Sequence, residues 1–133
     1  MDEHTSEKES KYKEIFRLKK MLEDAGIQHD FLDQCGTNFE FYELVYPSLE
    51  DWRLIDRETS REGCCSVAEG DLTIGREKDK LEIMGLLTEE EKLTGQVVGY
   101  LTAEDVFTRI QKAEEKRQAD FKHMPKESEA TNG

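Results

Sequence analysis

The stretch GCCSVAEGDLTIGREKDKLEIMGLLTEEE, residues 63–91, decides how the rest of the chain is arranged. Cys64, Cys65, Val67 and Ala68 make an apolar run of strand length. A loop holding Gly70 and Gly75 follows, and then Leu81, Met84 and Leu87 recur at helical spacing, which predicts a central helix. A strand feeding a glycine-marked loop and a helix builds core from both ends and turns backbone N–H groups toward a ligand. The stretch carries no catalytic signature.

Upstream of it, Ser6 and Glu9 have the spacing of a capping box. Tyr12, Ile15, Phe16, Leu18, Leu22 and Ala25 then fall on one side of a helix that Gly26 is placed to end. Ile27 to Leu32 reads as a short strand, and Phe39 to Tyr46 as a second, with Phe39, Phe41 and Val45 on one face and Tyr42, Leu44 and Tyr46 on the other. The glycine-containing loop between them predicts a hairpin, and Pro47 stops the second strand because it cannot donate to a ladder. Trp52 to Asp56 is a third strand candidate. Downstream, Val97 to Leu101 is a short strand, and Thr102 with Asp105 caps a long helix whose stripe is Val106, Phe107, Ile110 and Ala113. The fold expected is α+β: an N-terminal helix, an antiparallel sheet of about four strands, a central helix, a short strand and a long C-terminal helix. Residues 6–121 form one domain in this reading, between a disordered stretch at 1–5 and a disordered tail at 122–133.

Composition narrows the function classes. Thirty-one acidic against nineteen basic residues give a formal net charge of −12. Such a surface repels nucleic-acid phosphates and anionic lipid; it either steers basic protein partners or serves solubility alone, as in many small acidic domains. There are three cysteines, an odd number without a CxxC, and Cys64 and Cys65 are adjacent and bridge only under strain. With no signal peptide at MDEHTSEKES and no apolar run near the ~20 residues of a membrane span, a reducing cytoplasm is expected.

No catalytic or metal constellation assembles. His29, Cys35, Cys64, Cys65 and His123 have no ligand spacing, and no base stands next to a nucleophile. The adjacent carboxylates Glu23/Asp24, Glu50/Asp51 and Glu104/Asp105 carry little information in so acidic a chain. The aromatic set Phe39, Phe41, Tyr42, Tyr46 and Trp52 lies among acids, which fits core or a protein interface better than base stacking. The candidate ligand site is the loop at 69–76: Gly70, Thr73, Gly75 and Arg76 would combine backbone N–H groups with a fixed positive charge for a phosphate or carboxylate. The competing reading is a plain turn, since no GK[ST] follows.

The segments LKKMLEDAGI (18–27), YELVYPS (42–48), LEIMGLLTEEE (81–91) and VVGYLTAEDVFTRI (97–110) resemble a group of small acidic proteins encoded by phages and prophages of Gram-positive bacteria. The likeness covers most of residues 12–110. That group has a tyrosine in the loop before LEIMGL, where this chain reads GDLTIGRE. The resemblance implies no activity; it implies a context in which small accessory proteins act by binding, often against host defences. The expectation is a non-enzymatic binding protein without cofactor or metal, working in the bacterial cytoplasm. Its acidic surface would engage a host protein with a basic nucleic-acid-binding surface, without contacting nucleic acid or membrane directly. The alternative is a binder that sequesters a nucleotide signal at the 69–76 loop. The apolar faces of the aromatic strands and the length of the last helix predict a homodimer.

Overall fold

Strict alternation through FYELVY throws Tyr42, Leu44 and Tyr46 to one side of a strand, and these three residues sit at the centre of the main core. The computed structural model describes residues 10–54 and 63–122. Its elements are α1 (Glu14–Ala25), β1 (Asp30–Asp33), β2 (Phe41–Tyr46), α2 (Leu49–Leu54), β3 (Cys65–Gly70), β4 (Leu81–Met84), α3 (Glu89–Lys92), β5 (Val97–Leu101) and α4 (Ala103–Lys122). A three-residue 3-10 turn, Arg76–Lys78, lies between β3 and β4.

The protein is thus α+β, with a five-stranded antiparallel sheet in the order β1-β2-β3-β4-β5. Sequential strands lie side by side, as short connections favour. Leu44 pairs with Val67 and Val67 with Ile83, so three fully buried residues form one row across the sheet. Ile15, Leu18 and Leu22 of α1 and Val106 and Ile110 of α4 close over this face. Burying each such aliphatic side chain stabilises by ~1.5–3 kcal/mol. On the opposite face Val45, Trp52 and Cys64 make a second, smaller cluster under α2.

Several expectations hold. Gly26 ends α1 in a left-handed conformation at φ 70°, its N–H and that of Ile27 bonding back to α1 carbonyls. The Thr102–Asp105 box exists: Asp105 N–H donates to Thr102 Oγ1 at 3.0 Å, and Thr102 N–H to Asp105 Oδ2 at 3.1 Å. The hairpin and the strand after Gly63 also stand, although Phe39 precedes β2 and makes only an isolated bridge to Gly36.

Two elements differ. The helix expected through Leu81, Met84 and Leu87 is strand β4 followed by a turn, because Leu81 and Ile83 are both buried while Met84 is exposed. Gly85 at φ 95° and Leu86 at φ 56° end the strand, and a Cβ on Gly85 would stand 2.4 Å from the Cys64 carbonyl oxygen. Helix resumes only at α3, where Thr88 and Glu91 form a complete capping box. Trp52 is helical and not in a strand: Ser48 Oγ accepts from Asp51 N–H at 3.0 Å and starts α2, which brings the indole against Val45 and Cys64. The Ser6–Glu9 cap, Asp56 and the stretches 1–5 and 123–133 lie outside the described residues, whereas Lys122, expected to open the tail, is the last residue of α4.

Candidate functional site

Helix α1 begins without help from its own sequence. Lys13 stands at its N-cap and makes no side-chain cap, so the first N–H groups need acceptors from elsewhere. Asp79, in the loop before β4, supplies one: its Oδ1 accepts from Lys13 N–H at 2.9 Å and from Glu14 N–H at 3.2 Å. Glu69 supplies the next, its Oε1 accepting from Ile15 N–H at 2.9 Å. Glu14 in turn accepts from Ala103 N–H at 2.6 Å, the first residue of α4. Three carboxyl groups thereby hold the starts of both long helices, where the helix dipoles favour negative charge.

Glu69 is fully buried, since it takes the same inward parity on β3 as Cys65 and Val67. Its Oε2 has no partner as an acceptor, whereas a proton on it can be donated to the neighbouring Asp79. Burial first, and then Asp79, raises the Glu69 carboxyl to about 9, so it is protonated at neutral pH. Asp79 moves the other way: burial opposes ionisation, but the bonds from Glu69, Lys13 and Glu14 hold it below its ordinary value. A protonated acid beside an ionised one resembles a general acid–base pair. Here both face helix N–H groups, and Glu69 has no exposure to solvent.

Further out, Asp71 accepts from Tyr12 Oη at 2.5 Å, from Glu40 N–H at 2.8 Å and pairs with Lys11 at 3.0 Å. The Tyr12 bond foremost holds Asp71 down to about 2. Lys11, Glu40 and Asp71 line a shallow cavity of about 380 Å³ with Asn38 and Phe39.

Of the four residues singled out from the sequence, Gly70 ends β3, and Thr73, Gly75 and Arg76 follow it on the way to β4. Thr73 is buried, and its hydroxyl accepts from Gly70 N–H at 3.0 Å and donates to Gly70 O at 2.9 Å. Gly75 has φ 98°, and its carbonyl accepts from Lys78 and Lys80 N–H. Arg76 is exposed and donates one guanidinium N–H to Thr73 O at 2.7 Å. A 3-10 turn and then β4 follow, so the array of free N–H groups expected from a helix start is not built here. Gly70 has a separate reason to be glycine: a Cβ would lie 2.6 Å from Glu40 O and from Phe41 Cα.

Glu69 had a signal in the sequence, a charged residue at an inward position of an apolar strand. Asp79 had none, because the helix N–H groups it accepts from are more than sixty residues away. Among the described residues no group of three or more His, Cys, Asp or Glu side chains is arranged to hold a metal ion, and no disulfide forms. No described helix is long and apolar enough to cross a membrane. The chain matches no family of known proteins, no curated protein and no solved structure.

Proposed function

We propose that this chain is a non-enzymatic binding protein that presents an acidic surface to a basic protein partner. The observation that carries the reading is how charge divides between the layers. Helices α1 and α4 together hold eight acidic and eight basic residues, whereas the described residues between them hold fourteen acidic and five basic. The excess negative charge of the described residues therefore lies outside the two long helices, and an acid-rich region of this kind speeds and orients encounter with a positive surface. The inner carboxyl groups support the same reading, since Glu69, Asp79 and Glu14 each accept from helix N–H groups, with Glu69 and Glu14 buried and Asp79 partly so.

The resemblance to small acidic phage proteins makes a nucleic-acid-handling defence protein of a bacterial host the partner to test first, in the cytoplasm. Pull-down from such a host at graded salt checks it. A basic partner held at low ionic strength and lost toward physiological salt is expected, with charge reversal at exposed Glu50 and Glu90 weakening capture. Partners that are acidic, or retention indifferent to salt, would overturn the reading. The nucleotide-sequestering alternative draws on the exposed Arg76. A thermal-shift screen with nucleotides and cyclic dinucleotides tests it, since a ligand at 100 times its Kd adds about 2.7 kcal/mol. Self-association as a homodimer belongs to the same proposal, and light scattering at micromolar concentration tests it.

A further inference from the structure

Against the acidity of the whole, one cleft beside α4 is bordered by four basic side chains, Arg109, Lys112, Lys116 and Arg117, and a single acid, Asp120. Lys112, Lys116 and Arg117 are exposed and border this cleft of about 450 Å³, whose other lining includes Leu86, Leu87 and Ala113. Those three apolar residues are partly buried and pack on the main core, so they form a floor, and the cations form a rim.

The fold makes only light use of the exposed rim charges. Arg109, at the inner end, is neutralised by a two-point pair with Glu91 at 2.8 and 2.7 Å and bonds Leu86 O at 2.9 Å. Lys112 has no ionic partner among the described residues. Lys116 has one exposed contact, to Asp120 at 3.3 Å, which water largely screens. Arg117 is exposed, lies over the Tyr46 ring at 5.9 Å and interacts with the Tyr46 hydroxyl.

We propose that this cleft docks a short acidic segment of a partner protein, one that sets aliphatic side chains on the Leu86–Leu87–Ala113 floor and carboxylates against Lys112, Lys116 and Arg117. The volume falls within the range of ligand clefts, roughly 300–1,000 Å³. The apolar floor gives a bare phosphate nothing to bury. α4 carries five acidic and five basic residues, so a nucleic acid lying along it would meet no net positive charge, and a compact acidic peptide is the anion that fits the cleft. This surface is opposite in sign to the one under the proposed function and does not depend on it.

The test is fluorescence anisotropy with a labelled twelve-residue peptide carrying two leucines among glutamates, on the full chain. Saturable binding is expected, falling roughly tenfold in K112E/K116E while the thermal melting curve is unchanged. Replacing the peptide's leucines by serine should weaken it several-fold. Equal affinity for the double variant, equal affinity for the leucine-free peptide, or equal affinity for oligo-dT would each overturn the proposal. So would the absence of binding at millimolar peptide, or self-association that K112E/K116E abolishes, which would make a second copy the occupant.

Discussion

The start of α1 and the outer half of α4 are both rich in charge, and they use it in opposite ways. At the start of α1 the carboxyl groups of Glu69, Asp79 and Glu14 are wholly or partly withdrawn from water, and each bonds backbone N–H groups of a helix. Along α4, Lys112, Lys116 and Arg117 stand in solvent beside an apolar cleft, with little from the protein to satisfy them. Charge matched to orphan backbone groups fixes architecture. Charge without an internal partner adds little to stability and remains available for an external one.

The largest effect that separates the two regions should come from the core that anchors the first. Leu81 is fully buried two residues beyond Asp79, so Leu81→Ala should cost ~2–5 kcal/mol in urea unfolding and loosen the loop that carries the cap.

Next comes a pH effect. Folded Glu69 keeps its proton to about 9, whereas the unfolded side chain releases it near its ordinary value of 4.5. Folding therefore takes up a proton between these limits, and the stability tied to Glu69 falls as pH rises from 4.5 to about 9, by at most ~1.4 kcal/mol per pH unit. Glu69→Gln cannot ionise and should flatten that slope while raising stability at pH 8. Denaturation of both proteins at pH 5, 6, 7 and 8 checks it, and parallel slopes would show that Glu69 is ionised in the folded protein.

A smaller loss is expected from Asp79→Ala, ~1–2 kcal/mol, because the first N–H groups of α1 lose their acceptor. Asp79→Asn keeps an acceptor and tolerates the left-handed φ of 56°, so it should lose clearly less. Hydrogen exchange at Lys13 and Glu14 would show where the loss falls.

The smallest effect belongs to the other region. Lys112→Ala should change stability by less than ~0.5 kcal/mol, as an exposed side chain without an ionic partner. A loss as large as that of Asp79→Ala would erase the contrast between the two regions.

What could be read from the residues alone was local. The stripe from Tyr12 to Leu22, the stop at Gly26, the alternation of FYELVY and the Thr102–Asp105 box all appear where the pattern put them, because each depends on contacts within a few residues. So did the α+β class. Tertiary structure decided the rest. Leu81, Met84 and Leu87 suit a helix by spacing, but a four-residue strand shows only two inward positions, and pairing with β3 and β5 selects Leu81 and Ile83 instead. Trp52 is helical because burying its indole against Val45 and Cys64 outweighs its preference for strands. The cap on α1 comes from Asp79 and Glu69, residues whose relation to Lys13 and Ile15 exists only once the sheet has formed. Local sequence fixes an element when its hydrogen bonds close within a few residues; across fifty or sixty residues, only the packed core brings donor and acceptor together.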